Sequence, residues 1–174
     1  PRILSSAASD VYKRQGLMGE ISTVSPDIAP DSYMRERHYL SSLFGRVRWD
    51  NLNETVFPRY GQSILLEGVY STRSLGGNRD LKQWRLDWRA YQTIIKDLTF
   101  VGRLQLAGTG GDAVPIQKQH YLGGIDSFLG LKQFERRGRT LRAISLGLQY
   151  EFMPRRFAIL EWNAGGIAEH WDFE

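Results

Sequence analysis

The sequence predicts an all-β fold of transmembrane-barrel type: an antiparallel sheet of about seven strands that forms part of a larger barrel. Three observations carry this. Runs of about ten to sixteen residues alternate apolar and polar side chains, the period-two signature of a sheet with unlike faces. Such runs exceed the five or six residues usual in soluble sheets and suit the roughly 9 to 11 tilted residues that cross a bilayer. The connections also differ in style. "NLNETVFPR", "IKD" and "MPR" are compact or Pro-punctuated, whereas "RSLGGNR" and residues 110–139 are glycine-rich or long. Short turns at one end and long loops at the other are the habit of transmembrane barrels.

Taken in order, a first strand is expected near "GLMGEIST" (16–23). Residues 1–15 are set aside, because "SSAASDVYKRQ" resembles translated adaptor read-through and lacks the charged start, apolar centre and cleavage site of a signal peptide. On that expectation they are a non-native leader, residues 16–174 are a barrel fragment, and the native protein continues upstream. In "YLSSLFGRVRWDN" (39–51), Tyr39, Leu43, Val47 and Trp49 share one face, and Arg46, Arg48 and Asp50 the other. "YGQSILLEGVYST" (60–72) sets Tyr60, Ile64, Leu66 and Tyr70 against Ser63, Glu67 and Ser71.

The clearest run is "RDLKQWRLDWRAYQTI" (79–94), with Trp84, Leu86, Trp88 and Ala90 opposite Gln83, Arg85, Asp87 and Arg89. "DLTFVGRLQLAGT" (97–109) sets Leu98, Phe100, Leu104 and Leu106 against Thr99, Arg103 and Gln105. "TLRAISLGLQYEF" (140–152) sets Ile144, Leu146, Leu148, Tyr150 and Phe152 against Ser145, Gln149 and Glu151. "RFAILEWNAGGI" (156–167) is less regular, since Phe157 and Ile159 fall with Glu161 and Asn163.

The charged faces restrict the possibilities. Arg85, Asp87, Arg89, Arg103 and Glu151 cannot point at hydrocarbon, where a charge near the midplane costs about 2–4 kcal/mol. Nor can unpaired charges fill a dry core. A hydrated lumen remains, or bulk water outside a soluble β-sandwich. The carboxylates Glu67, Asp87 and Glu151 are expected to be solvated there.

Composition excludes more than it assigns. The chain has 174 residues, enough for one domain, and a net charge of +4 spread without a patch. No nucleic-acid motif accompanies that charge, so no nucleic-acid partner is expected. There are no cysteines, which removes disulfides and thiolate metal sites, and His38, His120 and His170 lie too far apart in sequence for a usual ligand set. No apolar run approaches a membrane helix. The 5 Trp and 8 Tyr suit membrane-interface girdles, and outer-membrane lipid is the expected surrounding.

Two stretches resemble a known family. "FGRVRWDNLNETVFPRYGQSILLEGVYS" is similar to an element of the bacterial surface-antigen barrels, the superfamily of outer-membrane assembly insertases and two-partner secretion transporters. There a strand ends in an Asn/Asp-rich turn, here Asp50 and Asn51, followed by Phe-Pro-x-x-Gly, here Phe57, Pro58 and Gly61. "HYLGGIDSFLGL" resembles the family's Gly-Gly-x-x-x-h-Arg-Gly-aromatic element, with Gly123, Gly124, Phe128 and Gly130 matching. The resemblance covers residues 39–167 and implies a sixteen-stranded barrel, in which residues 110–139 would fold back into the lumen. A surface loop with its arginines (Arg136, Arg137, Arg139) in water is the plainer alternative.

One departure stands out. The insertase branch pairs a loop Arg with a strand Asp; here those positions are Leu129 and Asn163, so both halves of the ion pair are replaced. The resemblance then leans toward the C-terminal barrel of bacterial patatin-like phospholipases. No catalytic site is expected within this chain. "GQSIL" (61–65) lacks the closing glycine of a nucleophile elbow, and "GTGGD" (108–112) lacks the Lys-Ser/Thr of a phosphate loop. No cofactor is expected. The function expected is anchoring or export of an upstream domain of the same chain. An insertase barrel acting on client polypeptide, a second copy as partner, or a soluble binding sandwich are the alternatives.

Overall fold

The computed structural model describes residues 10–23, 37–76, 80–111, 114, 118–124 and 128–169, with the backbone alone for 10–23 and 37–40. The first nine residues of the set-aside leader, and the closing "HWDFE", lie outside the described residues. The long strands are β1 (Asp10–Thr23), β2 (Arg37–Asp50), β3 (Gly61–Ser71), β4 (Leu81–Ile95) and β5 (Leu98–Gly111). Two short strands, β6 (His120–Leu122) and β7 (Arg136–Gly138), precede β8 (Thr140–Met153) and β9 (Arg156–Ala168).

One antiparallel sheet of seven strands runs β1-β2-β3-β4-β5-β8-β9, and β6 pairs with β7 apart from it. Six strands begin or end within two or three residues of the expected runs. The first differs: β1 begins at Asp10 rather than near Gly16, pairing Asp10 with Asp50 and Thr23 with Arg37. The reason is the length of β2. Its residues 45–50 present an edge of backbone N–H and C=O groups that residues 10–15 satisfy. The β6–β7 hairpin was not foreseen inside residues 110–139, because three-residue strands leave no readable period.

Register converts alternation into two faces. Residues directly opposite share a face, so Trp49, Ile64, Trp88, Leu104, Ile144 and Ala164 form one outward row across six strands. Asp50, Ser63, Arg89, Arg103, Ser145 and Asn163 form a row on the other face. The apolar face is bare: Leu66 is 49 % and Trp162 59 % exposed. Among the described residues no second layer covers it.

The outward rows have a bilayer's height. Along β5 they run from Gly108, opposite Trp84, to Leu98, opposite Tyr150. That is about 34 Å of strand, or roughly 25 Å when tilted by about 40°, the height of the apolar band on membrane barrels.

Candidate functional site

The polar face is the part of the sheet with chemistry, and Asp87 is its centre. Asp87 accepts from Arg103 Nη2 at 2.7 Å, Gln105 Nε2 at 3.0 Å and Arg89 Nε at 3.1 Å, with Arg85 Nη2 3.9 Å away. These contacts follow from β-geometry: Gln105 lies directly opposite Asp87, Arg103 is its diagonal neighbour on β5, and Arg85 and Arg89 flank it on β4. Asp87 is only 7 % exposed, so the expectation of a solvated carboxylate is corrected here. Three arginines could replace water because alternation delivers them all to one face. Glu67 likewise pairs with Arg46, and Glu151 with Arg59.

At the compact-turn end, the connection between β2 and β3 lies on this face. Its shape is templated by its own side chains. Asn51 Oδ1 accepts from Gln62 N at 2.6 Å, and Asn53 Oδ1 accepts from Arg59 N at 2.8 Å and Tyr60 N at 3.0 Å. Asp50 Oδ1 accepts from Leu52 N at 3.1 Å. Asn and Asp suit this work because a short carbonyl can imitate a backbone acceptor. Gly61 closes the turn at φ 110, where an added Cβ would collide with the Asn51 carbonyl.

Held this way, Phe57, Pro58 and Arg59 reach across the sheet. The Phe57 ring stacks on Phe157 of β9, with centroids 4.2 Å apart and planes 23° apart. Gln149 of β8 donates to Pro58 O at 3.4 Å, and Thr93 of β4 donates to Arg59 O at 2.9 Å. The Arg59 guanidinium bridges Glu151 and Asp97. From β3 to β9 is four inter-strand gaps, about 19 Å along the wall. One of the two irregular positions of β9 is thereby explained. Phe157 shares a face with Glu161 and Asn163 because it is Phe57's partner.

At the other end, the segment between β5 and β8 lies on the same face. Lys118 O accepts from Gln83 Nε2 and Thr109 Oγ1, each at 3.2 Å, and His120 Nε2 lies 3.0 Å from Thr109 Oγ1. Leu122 is fully buried against Ala107, Leu141 and Ala143, with Phe128, Leu131 and Ile167 packed around it. Small wall residues at 107 and 143 leave the depth into which Leu122 fits. Gly123, at φ 128, passes so close to the Lys132 carbonyl that a side chain would overlap it, while Gly124 N donates to Leu131 O at 3.1 Å. Gly130 has φ 93 with open space around it.

The two positions of the replaced ion pair do meet. Asn163 Nδ2 donates to the Leu129 carbonyl at 3.4 Å, a neutral contact between strand and loop. Of the loop arginines, Arg139 lies 3.4 Å from Glu169, and Arg136 and Arg137 are exposed. Between the Phe57–Pro58 turn and the wall, a cavity of about 460 Å³ is lined by Arg89, Arg103, Ser145 and Gln149 among others. Sequence reasoning missed Asn53, Arg59, Leu122 and His120. Asn53 alone gave a readable signal, an Asn two residues past Asn51 in a turn already rich in acceptors.

Burial holds the His120 imidazole below its ordinary pKa, an effect that nearby Arg85 reinforces and a hydrogen bond at Gly108 opposes. Neutral imidazole is therefore the form the packed loop prefers.

A search of curated proteins finds no match to the chain. The family model described as the Omp85 superfamily domain matches residues 8–148, from just before β1 into β8. That span contains both segments seated on the polar face and four-fifths of the chain. Together with the one-layer sheet, the bare apolar belt and the polar opposite face, it makes the chain a member of the Omp85 superfamily, an outer-membrane β-barrel of the insertase and transport type.

Proposed function

We propose that this barrel anchors, and helps export, a domain lying upstream in the same chain, of patatin-like phospholipase type. In this reading the polar face is the lumen wall. The observation that carries it is the contact between Asn163 and Leu129, where the loop meets the strand without a charge on either side. A charged latch, with its charge-assisted hydrogen bonds, is selective for one loop position. A neutral bond of 3.4 Å between partly exposed groups is weak, and the loop is held by the apolar seat of Leu122. Such a loop suits a standing plug better than a latch that must be set by ionic pairing. Lumen-wall arginines tied to Asp87 likewise make a fixed scaffold rather than a free basic strip.

The test begins with the sequence upstream at the native locus. A G-x-S-x-G elbow in an α/β pattern, with phospholipid hydrolysis by the full-length protein that is lost on replacing that serine, supports the reading. Repeated periplasmic α/β domains upstream, with client β-strand insertion in reconstituted vesicles, sink it and establish the insertase instead.

A further inference from the structure

At the compact-turn end, the β4–β5 and β8–β9 hairpins turn side by side, and Glu151 N donates to Asp97 O at 2.9 Å. Three basic residues stand on these two turns, Lys96, Arg155 and Arg156, all exposed. The carboxylates beside them are already occupied. Arg59 bridges Asp97 and Glu151, and Glu151 Oε1 also accepts from Arg155 N at 3.0 Å. Among the described residues, the charged ends of Lys96, Arg155 and Arg156 have no carboxylate partner; Arg156 touches only the Met153 sulfur, at 3.8 Å.

An apolar collar adjoins them. Ile94, Ile95, Phe152 and Met153 are all half or more exposed and continue the outward belt of Leu98 and Tyr150. Arg155 also sits at φ 62, a left-handed conformation that glycine or asparagine adopts at lower cost. The turn thus keeps a cationic side chain where backbone preference argues for another residue.

We propose that this rim binds the headgroups of anionic phospholipids. It rests on the barrel reading, which puts the collar at the edge of the hydrocarbon. Long basic side chains rooted at that edge lay their methylenes along the acyl boundary and extend their charge to the phosphate level. An anionic headgroup supplies the counter-charge that the protein leaves out there. A zwitterionic headgroup brings its own cation beside the phosphate and satisfies the rim less well. Each Lys or Arg near an anionic surface is worth roughly a fivefold gain in binding.

The experiment inserts the full-length protein into vesicles equimolar in phosphatidylglycerol and phosphatidylcholine, extracts it into mild detergent, and measures the retained lipids by mass spectrometry. Heat-modifiable gel mobility reports folding independently of lipid preference. The wild type is expected to retain phosphatidylglycerol about fivefold over phosphatidylcholine. The K96Q/R155Q/R156Q variant should fall to parity while staying heat-modifiable, and the R136Q/R137Q variant should keep the preference. Raising salt on the wild type, which needs no variant, should lower the enrichment toward parity. Equal retention by the wild type, persistence in the triple variant, or indifference to salt overturns the proposal. Failure to form any heat-modifiable species would instead sink the barrel reading, and this proposal with it.

Discussion

The two segments that seat on the polar face are anchored by different means. The β2–β3 turn carries its template within itself, because Asn51 and Asn53 organise backbone amides only a few residues away. Its tertiary reach is then a consequence, with Phe57 and Arg59 delivered to β9 and β8. The loop between β5 and β8 also has internal bonds, with β6 paired to β7 and Glu135 accepting from Lys132 N at 2.6 Å, but none of these ties it to the wall. Its chief seat on the wall is apolar, with Leu122 buried among Ala107, Leu141 and Ala143. Several polar and aromatic contacts seat the first segment; burial of one leucine is the main seat of the second. Mutations should therefore separate them, releasing the loop cooperatively but loosening the turn piecemeal.

Leu122→Ala is the sharpest break. Truncating a fully buried leucine costs about 2–5 kcal/mol, and here the cost falls on the loop's main apolar anchor. The loop should become open to protease while the barrel stays heat-modifiable. Intact resistance would mean that the hydrogen bonds of Lys118 and Asn163 hold the loop by themselves.

Phe57→Ala should come second. The stack with Phe157 contributes about 0.5–1.5 kcal/mol beyond the area it buries, and Asn51 and Asn53 remain to hold the turn. The expectation is a drop of about 1–3 kcal/mol in urea titrations of vesicle-folded protein. Adding Asn53→Ala should cost less than the sum of the two single changes if the template and the reach depend on each other, since either change alone then already releases both. Simple additivity would remove that part of the comparison.

Acid should act on the loop and spare the turn. The folded pKa of His120 is depressed, chiefly by burial, so the unfolded state takes up a proton first. Stability from this group is complete above the ordinary histidine pKa, near 6.5, and is lost as pH falls through it toward the folded value. Loop protection from protease should weaken below about pH 6.5 in the wild type. In a His120→Gln variant that pH dependence should vanish. A loop whose protection stays flat with pH in the wild type would show that His120 charges without disturbing its seat beside Thr109 and the Lys118 carbonyl.

The same contrast decides what was legible in the sequence. Strand runs and their polar faces could be read because alternation is a local property, and Arg85, Asp87, Arg89 and Arg103 announce their shared face by spacing alone. Their convergence on one carboxylate could not, since it depends on which residues of β4 and β5 stand opposite. Phe157 looked like a flaw in β9 until its partner, a hundred residues earlier, was in view. Leu122 is one leucine in a glycine-rich stretch, and nothing local marks it as fully buried. The β1 start was misplaced for a related reason: residues 10–15 are strand because β2 is long enough to pair with them.

Asn163→Leu carries the smallest expected effect and bears most directly on function. The bond it removes is 3.4 Å long, neutral and partly exposed, so its loss should cost about 0.5–1 kcal/mol at most and leave the loop protected. Restoring both charges, with Leu129→Arg and Asn163→Asp together, is the instructive counterpart. The strand and loop positions already meet, so the pair should form and tighten the loop, whereas Leu129→Arg alone should loosen it by leaving a cation beside a neutral amide. If the double variant raises loop protection and lowers export of the upstream domain, the neutral junction is what suits the barrel to that role. If the double variant behaves like the wild type in both assays, the apolar seat of Leu122 sets the loop, and the chemistry at 129 and 163 carries no functional distinction.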